Sequence, residues 1–140
     1  MAATIKAPVS INADRACFVC GDENPIGLKA KFVVDPETNR STASLTIGTH
    51  FQGWQGVVHG GIIASLLDEA AIYACRALSI EAVTAEMTVR YRKPVTVDSP
   101  LLLKAEVLSF KRQIALVRSQ VIVDTDIMAD AEIKIYLLNH

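Results

Sequence analysis

An excess of charge of either sign is what this sequence most plainly lacks. Fourteen Lys+Arg stand against fifteen Asp+Glu, a net charge of −1. Binding nucleic acid through bulk electrostatics needs a concentrated positive excess, so that class falls away and only a local basic patch stays open. Aromatic residues are scarce at 6%, too few for a base-stacking platform. Long hydrophobic runs are missing as well. The most apolar window, residues 62–78, is interrupted by Asp68, Glu69 and Arg76, well short of the ~20 apolar residues that cross a bilayer. The first ten residues hold no apolar block behind a basic end, so no secretory leader is expected. Three cysteines leave one unpaired however they combine, which suits a reducing compartment better than a disulfide scaffold. The expected location is the cytoplasm, with neither membrane nor nucleic acid as partner.

What is present is the material of one ordinary domain. The chain has 140 residues, 51% hydrophobic and 21% charged, enough to build a core without a disulfide or metal staple. Residues 1–23 read as an N-terminal arm ending in a turn, and residues 24–140 as the domain. The arm carries Cys17-Phe18-Val19-Cys20-Gly21. A zinc site built on such a pair needs four ligands, and Cys75, His50, His59 and His140 offer no second pair at matching spacing. No metal and no cofactor are therefore expected. The two thiols read as small, mostly buried side chains leading into a turn region at Gly21, Pro25 and Gly27.

Hydrophobic periodicity divides the rest. Leu28, Ala30, Phe32 and Val34 alternate with more polar neighbours, and Asp35-Pro36-Glu37-Thr38-Asn39 is turn chemistry. Ala43, Leu45 and Ile47 mark a second half-buried strand. A glycine-rich link from Gly48 to Gly56 follows. After Gly60-Gly61 the period becomes helical to about Leu78, apolar around most of the circumference, the mark of a buried helix. Its polar residues Ser65, Glu69 and Arg76 share one narrow stripe. Strands resume at Val83, where Ala85, Met87, Val89 and Tyr91 are assigned to one face and Thr84, Glu86, Thr88, Arg90 and Arg92 to the other, until Pro94 ends the ladder. Three more strands are expected near 101–110, 114–124 and 130–137. The order β-β-α-β-β-β-β predicts an α+β fold of about six antiparallel strands, the sheet curved around one long central helix.

Two places can carry chemistry. His59-Gly60-Gly61 stands where the loop becomes the helix, and the first helical N–H groups have no intrahelical acceptor. With the positive end of the helix dipole they form a site for an oxyanion or a polarised carbonyl. Asp68 is the sharper residue. Its neighbours at three and four positions are Ala64, Ser65, Ala71 and Ile72, so no cation on its own helix neutralises it. Desolvation raises the pKa of such a carboxylate toward the range of a general base; the competing reading is an ion pair with an arginine of the sheet.

The run Gly56-Val57-Val58-His59-Gly60-Gly61-Ile62-Ile63-Ala64-Ser65-Leu66-Leu67-Asp68-Glu69-Ala70 resembles the signature of hotdog-fold acyl-CoA thioesterases of the phenylacetic-acid (PaaI-like) group, within the 4-hydroxybenzoyl-CoA thioesterase superfamily. The likeness extends to Val83–Pro94 and covers roughly residues 24–138. It implies the hotdog fold and hydrolysis of an acyl- or aryl-CoA to CoA and a carboxylic acid. It further implies Asp68 as general base or nucleophile, the Gly60 amide as donor to the thioester oxygen, and Thr84 as a hydroxyl that places the water. The resemblance also implies His59, Gly61, Gln55, Glu69 and Arg92 as the substrate-binding positions. The implied assembly is a homodimer or a dimer of dimers, with Gly60 and Asp68 of one site drawn from different chains. One position departs from the pattern: several relatives carry asparagine where this chain has Gly53, and Gln52 and Gln55 are the nearest amides. Losing one such donor costs about 10²–10³ in rate when nothing replaces it.

Two other readings compete. A hotdog dehydratase or hydratase would place a glutamate on the helix where this chain has Ala64. A non-catalytic acyl-CoA-binding module or regulator would keep the pocket and drop the chemistry.

Overall fold

The elements follow the order that periodicity predicts: β1 (Val33–Asp35), β2 (Arg40–Thr46), α1 (Gly60–Ala74), β3 (Ala82–Tyr91), β4 (Pro100–Lys111), β5 (Ile114–Val123) and β6 (Asp126–Leu137). They come from a computed structural model that describes residues 15–138. The six strands form one antiparallel sheet in the order β1-β2-β4-β5-β6-β3. Tight reversals at Asn39, Arg112 and Asp124, all with positive φ, join consecutive strands. The helix packs against all six strands.

Alternation decides which face meets the helix. In β5, Ala115, Val117, Ser119 and Val121 are buried while Arg118 between them is exposed. In β6, Ala131, Ile133, Ile135 and Leu137 do the same. Against them α1 buries Ile63, Leu66, Leu67, Ala70, Ala71 and Ala74. The small alanines bring the helix close enough for two buried hydroxyls of the sheet to reach its carbonyls. Ser41 Oγ donates to the Ala70 carbonyl at 2.6 Å and Ser119 Oγ to the Leu67 carbonyl at 2.9 Å, using the second lone pair of oxygens that also serve the helix ladder. Ser119→Ala is expected to lower the unfolding free energy by about 1 kcal/mol, read from the urea midpoint at unchanged m; an unshifted midpoint would show that the bond adds nothing net.

Three sequence expectations need correction. The first strand does not begin at Leu28. Lys29 has φ 55, which breaks the extended run, and the Leu28 and Ala30 amides donate to the Phe18 and Val19 carbonyls at 2.7 and 2.8 Å. This segment thus pairs with the cysteine turn, keeping Ala30 buried without joining the sheet. Nor does the helix reach Leu78. Beyond Ala74 the chain tightens into three-residue turns, with Arg76 N donating to the Tyr73 carbonyl and Leu78 N to the Cys75 carbonyl. Cys75 stays fully buried there, so the apolar pattern outlasts the helix.

The third correction concerns Thr84, which the alternation of β3 assigned to the face of Glu86 and Thr88. The register against β6 slips between Thr84 and Glu86: Thr84 pairs with Ile135 but Glu86 with Lys134. Ala85 is the extra residue of a β-bulge, which inverts the alternation on one side. Cross-strand partners share a face, and Ile135 is buried, so Thr84 points toward the helix together with Met87 and Val89.

Candidate active site

The loop before α1 is tied down residue by residue. His59 N donates to the Phe51 carbonyl and Val58 N to the Val95 carbonyl, while Gln52 Oε1 accepts from the Gly56 amide at 3.0 Å. His59 is the N-cap: its Nδ1 accepts from the Gly61 amide at 2.8 Å, satisfying one of the helix's first free donors. A Cβ on residue 61 would lie 3.1 Å from that same Nδ1, so glycine is what lets the ring come in. His59 therefore anchors the loop. With Gly61 engaged, the Gly60 amide stays free of any acceptor among the described residues, and the Gly60 carbonyl accepts from Tyr91 Oη at 2.9 Å. This last contact joins the helix start to the end of β3 and had no signal in the sequence.

Asp68 lies two turns further along. It is half-buried, and Thr84 Oγ1 donates to its Oδ1. The bulge at Ala85 is what brings that hydroxyl round. Burial first holds the Asp68 carboxyl above the usual aspartate range, with the neighbouring Glu69 charge adding to the rise and the Thr84 bond opposing it. No lysine or arginine among the described residues forms an ion pair with it. The guanidinium clamp that competed with the catalytic reading is absent from that set.

The other expected positions divide. Arg92 lies beside the helix start but is bound to Asp130, with Nη2 at 2.8 Å and Nε at 2.9 Å from Oδ2. Together with Trp54, Val57, Gly60, Tyr91 and Lys93 it lines a largely apolar cleft of about 410 Å³. Gln55 is exposed on the preceding turn. Glu69 faces elsewhere: its Oε2 accepts from Cys17 Sγ at 3.1 Å. At Gly53, a Cβ would meet the His59 backbone and ring at 3.3 Å, a tight contact that a larger residue would meet by pressing His59 back a few tenths of an ångström. Burial and then the Glu69 carboxylate push the Cys20 thiol up to about 12, which removes it as a nucleophile at neutral pH.

The donor and the carboxylate sit at different stations. From Gly60 to Asp68 the helix rises about 12 Å, and a single thioester carbon has to lie within about 3 Å of both an oxyanion donor and the attacking group. One chain therefore offers the donor at one station and the base at another.

The sequence model of the thioesterase superfamily matches residues 55–128, the stretch from the loop before α1 to the start of β6. A mouse (Mus musculus) protein, acyl-coenzyme A thioesterase THEM4, is 27% identical over 89 residues, 64% of this chain and 38% of that one. The matched stretch is thus well under half of the mouse protein. Among solved structures, the E. coli PaaI protein from the phenylacetic acid degradation operon superposes with TM-score 0.72 at 20% identity, covering 79% of this chain and 80% of that one. The smu.793 protein of Streptococcus mutans UA159, solved bound to acetyl CoA, gives TM-score 0.73 at 19% identity over 83% and 94%. These likenesses establish the fold, a sheet wrapped around one central helix that is known as the hotdog fold.

Proposed function

Because this chain belongs to the thioesterase superfamily, we propose that it hydrolyses acyl- or aryl-CoA thioesters at a site built from two copies of itself. The observation that carries the reading is Asp68, half-buried, oriented by Thr84 and paired with no cation among the described residues. In one copy Asp68 acts on water as general base, or on the thioester carbon as nucleophile. The Gly60 amide of the other copy, at the positive end of its helix, receives the oxygen as charge develops. The C–S bond breaks, CoA leaves as the thiol, and the acyl group leaves as the carboxylic acid. His59 and Gly61 hold the loop that presents the donor, and the cleft beside Arg92 receives part of the substrate.

The 12 Å offset along the helix supports sharing, because an antiparallel second copy sets its own Gly60 opposite this Asp68. The sheet offers the means: β3, ten residues long, is an edge strand bonded only to β6, and an unprotected edge of that length pairs readily with another strand. Light scattering at micromolar concentration is expected to show a dimer or a dimer of dimers. A strictly monomeric species that still turns over substrate would remove the shared site. No helix among the described residues is long and apolar enough to cross a membrane.

Thr84 gives a further prediction. Thr84→Val keeps the shape and removes the hydrogen bond to a charged group, worth about 1.5–3 kcal/mol, so kcat should fall about 10- to 100-fold while Thr84→Ser stays close to the parent. Equal rates for all three would show that the hydroxyl does not orient the carboxylate. The non-catalytic acyl-CoA-binding reading draws on Gly53, where no side-chain donor stands; it predicts binding without release of thiol.

A further inference from the structure

The cysteine turn, which the proposed hydrolysis does not use, meets the central helix at a cluster of metal-binding groups. Cys17 and Cys20 sit 52 and 49 residues before Glu69 in sequence, yet Cys17 Sγ, Cys20 Sγ and one Glu69 carboxylate oxygen all lie within 4.8 Å of one another. The pair alone gave no metal site from spacing; the third donor comes from α1, where sequence distance hid it. We propose that Cys17, Cys20 and Glu69 bind one zinc-type divalent ion, with the fourth tetrahedral position open to water. Zn–S bonds near 2.3 Å and Zn–O bonds near 2.0–2.2 Å place tetrahedral ligand atoms roughly 3.5–3.8 Å apart. The present spacing, 3.1 Å between Cys17 Sγ and Glu69 Oε2 and none above 4.8 Å, meets that with shifts of side chains alone. Two thiolates and a carboxylate also suit zinc over magnesium or calcium, which prefer all-oxygen shells.

The turn is built to hold its sulfurs in place. Gly21 N donates to the Cys17 carbonyl at 2.8 Å, and a Cβ on residue 21 would sit 2.4 Å from Cys17 N and 2.5 Å from the Arg15 carbonyl. Only glycine closes the loop directly after the second cysteine. Arg15 and Asp22, paired at 2.6 Å, clamp its two ends. On the helix side Tyr73 stacks on Phe32 with centroids 4.6 Å apart, and the Arg76 guanidinium lies 4.6 Å above the Tyr73 ring. Loaded with a divalent ion the three ligands carry a net −1, and Arg76 is the cation on that wall. Binding exchanges two thiol protons for the ion and involves no redox step. The ion would fasten the N-terminal turn to α1 one residue beyond Asp68.

The test is a titration of the fully reduced, metal-stripped chain with Co²⁺ and then Zn²⁺. One Co²⁺ per chain should bind with a thiolate-to-cobalt charge-transfer band and the visible bands of a tetrahedral centre, and one equivalent of Zn²⁺ should displace it. Cys17→Ser and Cys20→Ser should each abolish one-to-one binding. Glu69→Gln should keep the thiolate band and weaken Zn²⁺ binding by about 10–100-fold or more, a loss seen even for outer-shell partners. Cys75→Ser, at the buried end of the helix, should leave stoichiometry unchanged. The proposal is overturned by reduced protein that shows no charge-transfer band, by a band that survives both cysteine variants, or by a Cys17–Cys20 disulfide whose reduction yields thiols that take up no metal. None of these readouts depends on thioester hydrolysis, so the two readings fail separately.

Discussion

Asp68→Asn is expected to lower kcat for acyl-CoA hydrolysis by about 10²–10⁴-fold, the usual contribution of a positioned general base, with little change in thermal midpoint. Asparagine fills the same space, and its carbonyl oxygen can still accept the Thr84 hydroxyl that now reaches Asp68 Oδ1, so the local structure has no reason to move. What disappears is the ability to take a proton or attack a carbonyl carbon. A nucleophilic role predicts a loss at the upper end, with an acyl-enzyme anhydride trapped by rapid quench in the parent and none in the variant. Glu69→Gln serves as the comparison: its carboxylate is turned to Cys17, so its loss should be far smaller. Full turnover by the Asp68 variant would show that the wrong carboxylate has been assigned.

Leu67→Ala is the change expected to cost most stability. Leu67 is fully buried at the centre of α1, and its carbonyl receives the Ser119 hydroxyl from β5. Truncation leaves a cavity between helix and sheet, a loss of about 2–5 kcal/mol from a total that for a domain of this size is about 5–15 kcal/mol. The midpoint of urea unfolding should fall at unchanged m. Ile62→Ala, on the half-exposed flank of the same helix, should shift it much less. Equal shifts would mean that the helix is not held by the face assigned to the sheet.

The parts of this molecule legible in the sequence are those set by local pattern. Helical period after Gly60-Gly61, alternation over residues 130–137 of β6, and turn chemistry at 35–39 each fix an element from its own residues. The spacing from His59 to Asp68 places donor and carboxylate on one helix without any tertiary information. What escaped depends on partners distant in sequence. Residues 83–91 alternate acceptably in either register, because Ala85 is small enough for both faces; only pairing with β6 reveals the bulge and turns Thr84 inward. The run from Leu28 to Phe32 has strand composition, but its amides are taken by Phe18 and Val19 rather than by a neighbouring strand. Apolar residues continue past Ala74 because Cys75, just beyond the helix, is buried too and Leu78 is half-buried. Contact between Cys17 and Glu69, like that between Tyr91 and Gly60, arises only when the helix settles on the sheet.

The measurement that bears most directly on the whole account is a time course of free-thiol release from acyl-CoAs of short, long and aromatic acyl groups, with the protein far below substrate concentration. Many equivalents of CoA per chain, in step with free carboxylic acid, are predicted for at least one acyl class. Acyl-CoAs that bind tightly and are recovered intact would contradict the account and leave a binding module in the place of an enzyme.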